Sequence, residues 1–387
     1  MVKINKIIKV AVLSSSRADY GYLKNLLVLL KKDKRIKLSL IVTGMHLSPE
    51  FGQTENEIIK DGFKIDEKIE LLLSSDTRIS MAKAVGLGMI SFSETFNRIL
   101  PDILICLGDR FEIFSGVYAA SILNIPIAHL HGGELTYGAI DDQFRHAITK
   151  ASSLHFPVTE TYLKRIVQMG ENPKNVFNVG ALAVERVLNV KKYSISKIEK
   201  ILNLNLKKGY ILVTVHPPTK SEINIKDFMY QILKALEKFN ELPIIMSYAN
   251  ADTGGKVINK LKLDFCNKDP KKRVVKKNLG QELYINLMRN ATFMLGNSSS
   301  GLIEASITKT PVVNIGNRQA GRIITSNVIT VKPKFKDIYN AMIQMSDINI
   351  SDLEKHPFGD GKTSKKILSH IKRFNNYNKE FYDIGFE

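Results

Sequence analysis

The stretch TFMLGNSSSGLIE, residues 292–304, holds a strand, a turn and a helix start within thirteen positions. The apolar run Phe293–Leu295 reads as a buried parallel strand, and Gly296-Asn297 is a turn signal. Three hydroxyls follow, Ser298, Ser299 and Ser300, before Gly301 opens a helical pattern with Glu304 in its first turn. A helix start presents unpaired N–H groups and partial positive charge, so it suits an anion. Serine hydroxyls can donate to phosphate oxygens, and a carboxylate one turn in can accept from both hydroxyls of a ribose. A serine N-cap on an ordinary connection between strand and helix accounts for the same residues.

Working outward, short apolar runs alternate with amphipathic stretches. Val10–Ser15, Leu38–Thr43, Ile103–Leu107, Pro126–Leu130 and His155–Val158 read as strands, with helical patterns such as Tyr22–Lys32 and Ser91–Leu100 between them. A second set, Tyr210–Val215, Pro243–Tyr248, Phe293–Leu295, Pro311–Ile315 and Asn327–Val331, alternates with patterns such as Ile225–Lys238 and Gln281–Arg289. Such alternation predicts an α/β chain of doubly wound parallel sheets. The expected layout is an N-terminal Rossmann-like domain over 1–187 and a C-terminal Rossmann-like, nucleotide-binding domain over 188–362. A helix within 363–387 then packs back on the body, and the polar, lysine-rich Leu188–Lys208 forms the seam. Two such domains facing across a cleft would place ligands at the C-terminal ends of their strands.

Composition narrows the function classes. The net charge is +18, from 56 Lys and Arg against 38 Asp and Glu, which suits an anionic partner: nucleic acid, membrane or small molecule. The lysines fall in polar segments such as 268–277, KDPKKRVVKK, without interleaved aromatics, and Trp is absent. They read as solvated surface rather than a nucleic-acid face. The uncharged segment 113–133 contains Asn124, Pro126 and two histidines, and reads as helix, turn and strand rather than a membrane span. Two cysteines, Cys106 and Cys266, support no disulfide framework and fit a cytoplasmic protein.

Several strand ends carry reactive residues. SSSRADYG, 14–21, puts Arg17 where it can face a phosphate or a carboxylate, or form an ordinary surface ion pair, with Asp19 either holding it or capping a helix. LICLGDRFE, 104–112, sets Asp109 beside Arg110, so the carboxylate should stay ionised as acceptor or base. HLHGGE, 129–134, supplies two histidines expected to point the same way on a strand. They could pair on a metal, but the nearby acids lack ligand spacing, so no metal is expected. His131 and Glu134 fit acid–base groups better, as does Asp141 beyond them. His216 ends a strand and could be a general acid or a donor to oxygen. Each lone histidine also has an ordinary structural reading. NIGNRQAGR, 314–322, offers Arg318 and Arg322, two guanidinium groups suited to a diphosphate. No Walker A sequence and no GxGxxG fingerprint is present, which argues against ATP hydrolysis and nicotinamide chemistry, and no cofactor is expected.

The segments SRADYG, VTGMHLSPEFG, LGDRFE, HLHGGE, IDDQFRHAITK, HPPT, NADTGG, GNSSSGLIE and NIGNRQAGR occur in this order between residues 16 and 322. Together they resemble the hydrolysing UDP-N-acetylglucosamine 2-epimerases of bacterial sialic-acid pathways. The resemblance implies a glycosyltransferase-B-like fold, a nucleotide-sugar substrate and a homodimer or homotetramer. It implies removal of the carbon-2 proton, departure of UDP, and hydration of the resulting glycal to free N-acetylmannosamine. Carried over, Asp109, Asp141 and His216 match catalytic positions, and His131 stands where some members have Glu. Arg17, Arg110, Ser298, Ser299, Glu304 and Arg318 match nucleotide contacts. The segment 72–94, LLSSDTRISMAKAVGLGMISFSE, resembles the branch acting on UDP- or GDP-linked 2,4-diacetamido-2,4,6-trideoxyglucose in legionaminic-acid synthesis. The main expectation is UDP-N-acetylglucosamine, with that branch as the alternative. A glycosyltransferase of the same fold and a non-catalytic lysine-rich binding module are the other classes to separate.

Overall fold

Buried on both faces, the first strand shows why the apolar runs become sheet. Val10 and Val12 point into one core with Leu23 and Leu27, while Ala11 and Leu13 point into another with Phe92 and Val117. That alternation is the period of a strand sandwiched between helices. The computed structural model describes residues 7–75, 77–137, 140–218, 224–249, 254–373 and 379–385. Thr219 of HPPT and positions 250–253 of NADTGG lie outside them.

The chain divides into two units, Met1–Glu134 with Ile140–Arg186 and Pro357–Glu387, and Leu135–Ala139 with Val187–His356. In the first unit, β1 (Ile8–Ser14), β2 (Ile36–Thr43), β3 (Glu67–Ile69), β4 (Ile103–Leu107), β5 (Ile127–Leu130) and β6 (Leu154–Phe156) form one sheet. Its order is β3-β2-β1-β4-β5-β6, with every pairing parallel. The helices are α1 (Arg17–Lys32), α2 (Glu55–Lys60), α3 (Arg78–Ile99), α4 (Phe111–Ile122), α5 (Asp141–Ala151) and α6 (Glu160–Gln168). The next helix, α7 (Leu182–Asn189), carries the chain into the second unit.

The second unit repeats the plan. Its helices are α8 (Ile195–Leu202), α9 (Ile225–Lys238), α10 (Gly255–Asn267), α11 (Gly280–Asn290), α12 (Glu304–Thr308) and α13 (Phe335–Ser346). Its strands are β7 (Ile211–Thr214), β8 (Ile244–Ser247), β9 (Arg273–Lys276), β10 (Phe293–Gly296), β11 (Val312–Ile315) and β12 (Val328–Val331). The order β12-β11-β10-β7-β8-β9 is again parallel throughout. Counted within each unit, both sheets have the Rossmann order, and the strand order reverses between β1 and β4 and between β7 and β10. Two Rossmann-like units of the glycosyltransferase-B-like class are thus present.

Two local features differ from expectation. The outer strands β3 and β9 are short and charged, and β9 lies inside the segment read as solvated lysine-rich surface. An edge strand pairs on one side only, so its side chains need not form a long apolar run. Leu188–Lys208 is not a bare seam, because it contains α8, whose Ile198 and Leu202 enter the second unit's core. After the second unit, α14 (Thr363–Lys372) returns to the first, placing Ile367 and Ile371 in the core that also holds Leu23 and Leu27 of α1. No helix among the described residues is long and apolar enough to cross a membrane.

Candidate active site

In the first unit the reversal point lies between the C-terminal ends of β1 and β4. Asp109 stands just past β4 and accepts a hydrogen bond from Arg145, not from the adjacent Arg110. Arg110 instead pairs with Glu112 at 2.8 Å. Arg145 is 2 % exposed and is a hub of α5, donating also to Asp142 Oδ1 and to the Glu134 carbonyl, both at 3.0 Å. Asp141 opens the same helix. Burial and the neighbouring charge of Asp109 raise its pKa above the usual carboxylate value. Two acids and one arginine are thereby brought together from segments more than thirty residues apart in sequence.

The HLHGGE segment behaves differently from a strand with paired histidines. β5 ends at Leu130, and His131 takes a left-handed conformation with φ +65°, so it does not share a direction with His129 by strand alternation. His129 is buried, and burial pushes its pKa down to about 3, leaving it neutral. The Gly108 carbonyl can only accept, so His129 Nε2 carries the proton and donates to it at 2.8 Å. It thereby holds the turn that presents Asp109. His131 Nδ1 meets Glu134 Oε1 at 3.2 Å, and its buried Nε2 has no partner among the described residues. No group of three or more His, Cys, Asp or Glu side chains among those residues has the geometry of a metal site.

Arg17 is half-exposed and lies 3.8 Å from Glu57. Asp19 does not hold it; its carboxylate accepts from the Ser15 amide at 3.1 Å and hydroxyl at 2.7 Å, fixing the start of α1. His46 is structural, buried between the hydroxyls of Ser14 at 2.9 Å and Thr54 at 2.8 Å.

In the second unit the reversal point joins the ends of β7 and β10. Gly296 is required there, since a Cβ would fall 1.9 Å from the Thr214 carbonyl oxygen. Asn297, which the sequence marks only as a turn, is the hub. Its Oδ1 accepts from the His216 amide at 2.8 Å and its Nδ2 donates to the His216 carbonyl at 2.9 Å. Its own carbonyl accepts from Arg318 at 3.2 Å and Gln319 at 2.9 Å. His216 is buried; burial, with the charges of Arg318 and Lys262, pushes it down to about 3, so the ring is neutral.

The hydroxyl turn is not the start of a regular helix. Ser299–Gly301 is a single 3-10 turn, Gly301 closes it, and Glu304 begins the five-residue α12. The hydroxyls form a chain instead: Ser298 to Ser300 at 2.9 Å, Ser300 to Tyr284 at 2.7 Å, Tyr284 to Thr214 at 3.1 Å. Glu304 is 2 % exposed. Arg318 and Arg322 lie on the turn after β11. A cavity of about 370 Å³ is lined by Pro218, Asn297, Ile315, Arg318 and Val331 among others. The second unit thus gathers His216, Ser298 and Arg318 around Asn297, and sequence reasoning missed that hub, Tyr284 and Arg145. Arg145 lies one turn beyond Asp141 on one helix face, a spacing that could have flagged it.

The fold of two Rossmann-like units is shared with solved structures. The UDP-GlcNAc 2-epimerase from Neisseria meningitidis, solved with UDP-GlcNAc bound, aligns with TM-score 0.82 at 17% identity over 95% of this chain and 100% of that one. The Methanocaldococcus jannaschii UDP-GlcNAc 2-epimerase aligns with TM-score 0.80 at 21% identity over the same shares. A family profile for UDP-N-acetylglucosamine 2-epimerases matches residues 29–372, and the chain belongs to that family. Among relatives, the GDP/UDP-N,N'-diacetylbacillosamine 2-epimerase (hydrolyzing) of Campylobacter jejuni is 43% identical over 83% of each chain. The UDP-N,N'-diacetylbacillosamine 2-epimerase (hydrolyzing) of Legionella pneumophila is 36% identical over 94% of this chain and 95% of that one. The UDP-N-acetylglucosamine 2-epimerase of Neisseria meningitidis is 28% identical over 94% of each.

Proposed function

We propose that this chain is a hydrolysing 2-epimerase of nucleotide-linked N,N'-diacetylbacillosamine, that is, 2,4-diacetamido-2,4,6-trideoxyglucose. The observation that carries the choice of sugar is the ranking of relatives: 43% and 36% identity to two enzymes named for it, against 28% to one named for UDP-N-acetylglucosamine. These identities favour the alternative named from the sequence over its main expectation.

In this reading a base takes the proton from carbon 2 as the bond from carbon 1 to the diphosphate oxygen breaks. The diphosphate leaves and a glycal remains. Water then adds across the double bond, its oxygen to carbon 1 and a proton to carbon 2 from the opposite face, giving the free sugar of manno configuration. Asp109, Asp141, His131 with Glu134, and His216 are the acid–base set. Asp141, whose pKa is raised by burial and by Asp109, is suited to carry a proton nearer neutrality than a free carboxyl. Ser298, Ser299, Glu304, Arg318 and Arg322, with Arg17 and Arg110, hold the nucleotide. Because the carbon-2 proton is weakly acidic, stabilising the departing diphosphate is the larger demand, which guanidinium and hydroxyl donors meet.

The test is to incubate the purified chain in deuterated water with each nucleotide sugar in turn. Free sugar carrying deuterium at carbon 2, formed at least tenfold more efficiently from the diacetamido substrate, is expected. A preference for UDP-N-acetylglucosamine would restore the other substrate. Product that keeps its original carbon-2 hydrogen would end the elimination mechanism.

A further inference from the structure

Lys262 lies in the middle of α10 with no exposed surface, on the stripe that also buries Ile258, Phe265 and Cys266. Its ammonium makes no ion pair among the described residues. It donates instead to two backbone carbonyls, Val215 at 2.9 Å and Ser247 at 2.7 Å. Both lie at the C-terminal ends of neighbouring parallel strands, β7 and β8, where the ladder between them runs out. Val215 is the residue before His216. The peptide carrying His216 is thus held by the lysine on one side and by Asn297 on the other. Ser247 also donates its hydroxyl to Thr214 at 3.3 Å, which joins the clamp to the hydroxyl chain ending at Ser298.

A neutral side chain could donate to two carbonyls without taking a charge out of water, which is costly when no counter-charge receives it. When charged, the lysine lowers two titratable groups, the His216 imidazole, after burial and Arg318, and the Cys266 thiol, whose burial acts the other way. We propose that Lys262 is a positioning residue for His216, clamping the ends of β7 and β8 and fixing both the place and the charge state in which the imidazole is presented. The proposal rests on the reading of His216 as an acid–base group. Burial lowers Lys262 itself to about 7, with Cys266 one turn along the same helix and Arg318 the other cation acting on His216.

The experiment compares Lys262→Met, which keeps length and loses charge and donors, with Lys262→Gln, which keeps an amide donor. Three readings are taken on the full chain: turnover of the nucleotide sugar, UDP affinity by calorimetry, and titration of the His216 ring by NMR. In Lys262→Met turnover is expected to fall at least tenfold with UDP affinity changed less than threefold, and the His216 titration to move to higher pH. Lys262→Gln should recover part of the turnover while leaving the His216 titration displaced. An unmoved His216 titration in both variants overturns the proposal whatever the activity. So does a fall in turnover matched by an equal loss of UDP binding and thermal midpoint, which marks a packing role only. The catalytic reading is tested separately with His216→Asn; normal turnover there removes His216 from the mechanism while the titration still tests the clamp.

Discussion

Asp109 and Asp141 answer differently to the same change. Asp109→Asn takes the carboxylate from Arg145, a guanidinium 2 % exposed. A buried cation deprived of its partner destabilises by about 3 kcal/mol, although Asp142 still accepts from it. Asp109→Asn should therefore lower the thermal midpoint as well as turnover. Asp141→Asn removes a carboxylate that Asp109's charge already disfavours. Its midpoint should hold or rise while turnover falls roughly 10²–10⁴-fold. Scanning fluorimetry beside initial rates checks both, and full activity in Asp141→Asn would remove it from the acid–base set. If Asp141 must be ionised to act, activity falls with decreasing pH, and falls sooner than an ordinary carboxylate would allow. Polar residues at the tips of apolar runs were legible, which is how Asp109 and His216 could be found. Their partners were not. Arg145 is joined to Asp109 only by the fold, and Lys262 sits in a chain so rich in lysine that one more reads as surface.

The turn between β10 and α12 shows how far one element can be read. Its strand and its glycine are plain in GNSSSG, but the reason for the glycine is the approach of another strand, which no local pattern reveals. Gly296→Ala would drive a Cβ to 1.9 Å from the Thr214 carbonyl. Backbone cannot step aside as a side-chain tip can, so a loss on the order of 4 kcal/mol is expected. Denaturant unfolding measures it, and a loss under 1 kcal/mol would mean the strand ends can part. The strands with long apolar runs were found because both faces are buried. β3 and β9 escaped because charges, Glu67 and Lys68 in one and Arg273 and Lys276 in the other, break their apolar pattern, whereas the equally short edge strands β6 and β12 carry no Lys, Arg, Asp or Glu. The hydroxyls read as a helix start because a 3-10 turn and a helix begin alike. Glu304 remains beside them at the head of α12, and Glu304→Gln is expected to weaken UDP binding more than it slows turnover, a contrast calorimetry and initial rates resolve.

At the scale of the whole molecule, Glu171 ties distant parts of the first unit together. It meets His155 at 2.9 Å and Lys150 at 2.7 Å, and Lys379 from the far end of the chain. Burial alone would raise its pKa, but hydrogen bonds from His155 and the two lysines outweigh it and draw the carboxyl down to about 2. A depressed carboxyl adds stability above its unfolded value and loses it as pH falls through the folded one. The thermal midpoint of Glu171→Gln should lie below that of the unaltered chain at pH 6, and the gap should close between about pH 4.5 and 2. A gap independent of pH would show that packing, not charge, is lost. The tail that supplies Lys379 follows α14, and both complete a unit begun at the other end of the chain. Val187–His356 makes up nearly all of the second unit in one continuous run. During synthesis that unit leaves the ribosome entire while the first still lacks Ile367 and Ile371, leaving apolar surface of α1 uncovered. The first unit is thus completed only after the second has emerged, and a chain halted after His356 carries one settled unit and one that chaperones must shelter.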